Sequence, residues 1–122
     1  MNAEAQRGKS VLLVEDEELI RGAMRMVLER EGYRVTCAGN GREALRLLRS
    51  GERPSLILLD LMLPVLDGWR FRREQKRDPN LAPIPVVVVS GSGLASAVPA
   101  EGRLQKPFQP EQLLDAIRGL GG

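Results

Sequence analysis

Three short apolar runs constrain this chain more than any other feature. Val11–Val14, Leu56–Leu59 and Val86–Val89 are each four uninterrupted aliphatic residues. A strand lacks polar alternation when both its faces are covered, as in a parallel sheet lying between two layers of helix. The intervening segments carry the helical period. Leu19, Ile20, Ala23, Met24, Val27 and Leu28 recur at helical spacing and stop at Gly32, and Ala44, Leu45, Leu47 and Leu48 do the same after Asn40-Gly41. Tyr33 to Ala38 alternates as a strand between these helices, Trp69 to Arg77 reads as a third helix, and Arg103-Leu104-Gln105 is a short strand. A last helix carries Leu113, Leu114 and Ile117, with Pro110 near its first position. Strands alternating with helices predict an α/β fold with a parallel sheet.

At 122 residues the length predicts one compact domain over 10–120, flanked by tails at 1–9 and 121–122. No apolar run approaches the ~20 residues of a membrane span, and the start, MNAEAQRGKS, has no apolar segment, so the expectation is a soluble, cytoplasmic protein. The absence of histidine removes histidine-based triads, imidazole metal sites and histidine general bases. Cys37, the single cysteine, reads as a small buried hydrophobe. Net charge is +2 and aromatic content 3%, which argues against a base-stacking nucleic-acid platform. The cluster Arg70, Arg72, Arg73, Lys76 and Arg77 reads as the solvated face of a helix, which argues against direct nucleic-acid binding.

In open α/β sheets, ligands bind outside the carboxyl ends of the strands. Here the first strand runs into Glu15 and Asp16, the third into Asp60, the fourth into Ser90 and the fifth into Lys106-Pro107. Singly, each has a plain reading: acids in a first helical turn, a turn cap, a Ser-Gly turn, a surface lysine. Together they form a self-consistent set, because carboxylates supply hard oxygen ligands for Mg²⁺ and one of them can serve as a nucleophile for a phosphoryl group. A lysine and a hydroxyl would then contact the phosphoryl oxygens.

The segments VLLVEDEE, LILLDLMLPVLDGW, PIPVVVVSGS and LQKPFQPEQLLDAI resemble, in order and across nearly the whole chain, those of response-regulator receiver domains of two-component signalling, the CheY-like superfamily. The resemblance implies a flavodoxin-like, doubly wound five-stranded parallel sheet in order 2-1-3-4-5. It also implies a phosphoacceptor regulator rather than an enzyme, taking a phosphoryl group from a histidine kinase or phosphotransfer protein and signalling to a downstream protein by contact. By that resemblance Asp60 is the phosphoacceptor, Asp16 ligates Mg²⁺ directly, Glu15 acts mainly through a metal-bound water, and the Met62 backbone carbonyl completes the metal shell. Ser90 and Lys106 match the residues that touch the phosphoryl group, Lys106-Pro107 matches a cis peptide, and Pro64 and Gly68 match shape-setting residues of the loop after Asp60.

The chain departs from the pattern between Ser90 and Lys106. The connection Gly91 to Gln105 is fifteen residues, short of the family's usual length by about a turn and a half of helix at ~3.6 residues per turn. GSGLASAVPAEG is rich in Gly, Ser and Pro, so the helix that relatives carry there is expected to be short or absent, and Gly91 to Gly102 to be the most mobile internal segment. Arg103 stands where the family's switch aromatic normally sits. These departures admit an alternative, a degenerate receiver that binds a protein partner regardless of phosphorylation. A haloacid-dehalogenase-like phosphatase would need an acid where Met62 stands, and a flavin binder a phosphate-cradling loop where the acids follow strand one.

Overall fold

The structure, a computed structural model, describes residues 9–60, 68–91 and 100–118. Met62, Pro64, most of the Gly91 to Gly102 segment and both tails lie outside the described residues, apart from Lys9. Strands β1 (Ser10–Val14), β2 (Arg34–Ala38), β3 (Leu56–Asp60), β4 (Val86–Ser90) and β5 (Gly102–Gln105) form one sheet, and helices α1 (Glu18–Arg30), α2 (Gly41–Arg49), α3 (Gly68–Arg77) and α4 (Pro110–Arg118) connect or follow them. All pairings are parallel and the order is β2-β1-β3-β4-β5. This is the flavodoxin-like order expected.

The apolar runs behave as central strands should. Leu12, Val14, Ile57, Leu59, Val86 and Val88 point to one face, where α2 and α3 contribute Ala44, Leu45, Leu48 and Phe71. Val11, Leu13, Leu56, Leu58, Val87 and Val89 point to the other, against Met24 and Leu28 of α1 and Leu113, Leu114 and Ile117 of α4. Alternate side chains of one strand thus serve two separate cores.

Helix ends follow local chemistry. Asn40 caps α2, its side chain accepting from the Glu43 N–H at 2.8 Å. Helix α1 ends on Gly32 at φ 94°, where Gly32 N–H donates to Glu29 O and Tyr33 N–H to Leu28 O, the paired bonds that a left-handed glycine permits.

Three expectations are corrected. Leu19 is 89% exposed, because it stands about 140° around α1 from Met24 at ~3.6 residues per turn. Cys37 is only partly buried, since β2 is an edge strand. Within the basic cluster, Arg70, Arg73, Lys76 and Arg77 are exposed but Arg72 is buried. Its guanidinium donates to both carboxylate oxygens of Glu101, at 3.1 and 3.0 Å, and to Gln75 Oε1 at 2.7 Å. Gln75 in turn donates to Leu81 O and Ile84 O, and Glu101 Oε1 accepts the Val86 N–H. A helix that faces both solvent and core needs such partners for any charge on its inner side.

Candidate functional site

The strand ends converge as the topology requires. Asp60 is the last residue of β3 and Ser90 the last of β4, while Glu15 and Lys106 directly follow β1 and β5. Parallel pairing sets these ends side by side: Val14 lies opposite Leu59, Asp60 opposite Val89, and Ser90 opposite Gln105. The Lys106 N–H donates to Ser90 O at 2.9 Å, extending the β4–β5 ladder by one residue. The Lys106–Pro107 bond is cis.

Glu15, Asp16 and Asp60 each place a carboxylate oxygen within 4.8 Å of the others. Glu15 and Asp60 are buried and Asp16 is exposed. Lys106 Nζ reaches Glu15 Oε1 at 3.2 Å and Asp60 Oδ2 at 3.4 Å. Burial pushes the Glu15 carboxyl up to about 7; Asp60 adds to the rise, and the Glu17 N–H and Lys106 oppose it. Burial pulls the Lys106 ammonium down, but Asp60 and Glu15 outweigh it and hold it above its ordinary value. Ser90 is buried at the same rim.

Every polar group of Glu15 has work. Its N–H donates to Ala38 O at 3.1 Å, its C=O accepts from Arg21 Nη1 at 2.9 Å, Oε2 accepts the Glu17 N–H at 3.2 Å and Oε1 meets Lys106. Glu15 therefore caps the start of α1, where Glu17 makes no side-chain cap of its own. Sequence reasoning assigns Glu15 to the metal site and misses both this capping role and Arg21. An arginine one turn into α1 was the available signal.

The donor set fits Mg²⁺: three hard carboxylate oxygens lie within 4.8 Å of one another, and with all ionised they exceed the single ammonium by two charges. A groove of about 520 Å³, lined by Ile20, Ala23, Met24, Lys106, Pro107 and Phe108, opens beside Lys106. Its apolar walls make it no part of the acidic cluster.

Residues 11–118 match the response regulator receiver domain family. The chain belongs to that family. Receiver relatives include the transcriptional regulatory protein AfsQ1 of Streptomyces coelicolor, 41% identical over 119 residues that cover 91% of this chain and 50% of AfsQ1. This receiver thus spans about half the length of the curated relatives it matches. Among solved structures, the receiver domain of a signal transduction histidine kinase from Syntrophus aciditrophicus superposes with a TM-score of 0.86 at 31% identity, covering 93% of this chain and 89% of that one. The receiver domain of sensor histidine kinase PA1611 from Pseudomonas aeruginosa PAO1, described with a magnesium ion coordinated in its active site cleft, gives 0.85 at 30% identity, covering 94% and 99%. The family serves two-component signalling as its phosphoacceptor module, and no helix among the described residues of this receiver is long and apolar enough to cross a membrane.

Proposed function

We propose that Asp60 accepts a phosphoryl group from the phosphohistidine of a histidine kinase or phosphotransfer protein, in a pocket where Glu15, Asp16 and Asp60 hold Mg²⁺. The observation that carries this reading is the placement of Lys106 Nζ, 3.4 Å from Asp60 and 3.2 Å from Glu15 across three strand ends. An ammonium fixed beside a buried carboxylate is where charge on an incoming phosphoryl group would be met. An oxygen of Asp60 attacks phosphorus, the P–N bond to the donor imidazole breaks with its electron pair going to nitrogen, and an acyl phosphate forms on Asp60. Lys106 then turns from the carboxylate to the phosphoryl oxygens. Ser90, tied through its carbonyl to Lys106, offers a hydroxyl from the same rim. Bound Mg²⁺ would neutralise charge on the phosphoryl group; the Met62 carbonyl is proposed to complete its shell.

The domain acts in this reading as a regulator, and its output is contact with a downstream protein. Incubation with a small acyl-phosphate donor and Mg²⁺, followed by intact mass measurement, tests it. One phosphoryl adduct is expected, labile to hydroxylamine and absent in Asp60→Asn. An unmodified wild-type chain would favour a constitutive protein-binding module instead.

A further inference from the structure

Arg21 leaves the first turn of α1 and donates from Nη1 to the backbone carbonyl of Glu15 at 2.9 Å, six residues back. The side chain is partly buried, and a Cβ built on Gly39, just past β2, would lie 3.9 Å from the same nitrogen. Arg21 therefore sits in the angle between the ends of β1 and β2 and the start of α1. The Arg21 N–H also donates to Glu17 O at 2.8 Å, so backbone and side chain grip both sides of the turn that contains Asp16.

The carbonyl that Arg21 holds belongs to the peptide linking Glu15 to Asp16. That unit is planar, so fixing the direction of its oxygen fixes the opposite N–H and the position of the Asp16 Cα. Glu15 is separately restrained by its contacts to Ala38, Glu17 and Lys106. Asp16 is the exposed member of the cluster, and its carboxylate depends on the backbone beneath it for its place. We propose that Arg21 is a positioning residue for metal binding: its guanidinium, by pinning the Glu15 carbonyl, aims the Asp16 carboxylate at the site shared with Glu15 and Asp60. This rests on the reading of the acidic pocket as a Mg²⁺ site.

Geometry and charge make opposite predictions. Removing a cation near three carboxylates should, by Coulomb attraction alone, strengthen binding of another cation. Losing a support that orients a ligand should weaken it, commonly by tenfold or more. The positioning role requires the second effect to win.

Calorimetric titration of the unphosphorylated protein with MgCl₂ decides between them. Arg21→Gln is expected to raise the Kd for Mg²⁺ about tenfold. Arg21→Lys, which keeps a donor for the carbonyl, should stay within about threefold of wild type, and Arg30→Gln, which removes the same charge at the far end of α1, should leave Kd unchanged. Arg21→Met preserves the packing of the stem and serves the same comparison should the Gln variant fail to fold. A role in stability alone would lower the melting temperature yet leave Kd, and hence the upward shift that Mg²⁺ gives, as in wild type. That result, or tighter binding in Arg21→Gln, overturns the positioning role while leaving the pocket's function standing. A wild-type protein that takes up no Mg²⁺ overturns both.

Discussion

The guanidinium of Arg72 meets the carboxylate of Glu101 with both oxygens engaged, tying α3 to the residue before β5 across twenty-nine positions of chain. Glu101 also brackets Val86: its N–H donates to Val86 O and its Oε1 accepts the Val86 N–H. One acidic residue therefore satisfies both backbone groups at the start of β4 while neutralising a buried cation.

Breaking this pair from one side should be costly. Glu101→Ala removes the bidentate acidic partner of Arg72 and the acceptor for Val86, and we expect a loss of about 3 kcal/mol in urea unfolding, the low end for a buried pair because the Glu101 side chain is 38% exposed. The double variant Arg72→Met with Glu101→Met should recover most of that loss. Additivity of the single variants to within ~0.5 kcal/mol would show the pair to be incidental.

The pH dependence of stability should have two limbs. The folded Glu15 carboxyl titrates near 7, above its ordinary value of 4.5, so the folded state binds more protons between those values and the apo protein gains stability as pH falls through that window. Glu101 acts in the opposite sense. Burial pushes its carboxyl up, but the Val86 N–H, Arg72 and Lys76 together hold it below the ordinary range. Its contribution is present above pH ~4.5 and lost as pH falls through the depressed value. Chemical denaturation across pH 3.5–8 should show a maximum on the acid side of neutrality, about pH 5, and millimolar Mg²⁺ should lift the neutral limb selectively. A flat profile without metal would contradict the rise that burial, with a smaller contribution from Asp60, gives the Glu15 carboxyl.

Asp60→Asn should do two things at once. It abolishes the phosphoryl adduct, because an amide is no nucleophile here. It also removes the charge that helps to raise Glu15 and should stabilise the apo protein by about 1 kcal/mol, the scale of one pKa unit. A lowered melting temperature would mean that the ion pair with Lys106 outweighs the repulsion between carboxylates.

Lys106→Met should slow phosphorylation by about a hundredfold, the typical cost of removing one fixed donor from a developing anionic charge. The fold should survive, since the Lys106 side chain is 25% exposed and its N–H bond to Ser90 remains. Rates from acyl-phosphate loading followed by mass measurement check this, and unchanged kinetics would remove Lys106 from the site.

The strand ends were legible because they depend on a short-range rule: an apolar run followed at once by a polar residue marks a strand and its exit. Glu15, Asp60 and Ser90 fall under it, with Asp16 next to Glu15; Lys106 follows the mostly polar β5 and is placed instead by the alternation of strands and helices and by the family resemblance. Helix faces were less secure. Leu19 fits an apolar helical pattern by type, yet its angle on α1 turns it to solvent. Arg72 fits a basic surface by type, yet its partner Glu101 lies twenty-nine positions on, just before β5. Arg21 acts through a carbonyl, which carries no residue signature at all. What sequence conceals here is pairing across elements and contact with backbone, since neither leaves a local pattern.

Among the described residues β2 and β5 are the outermost strands of the sheet, and such margins invite another chain to add a strand. Both carry an exposed arginine, Arg34 on β2 and Arg103 on β5. A foreign strand joining either side would have to bring its own face against that charge. Replacing Arg103 with an aromatic, to restore the pattern that the family resemblance implies there, is therefore expected to lower solubility.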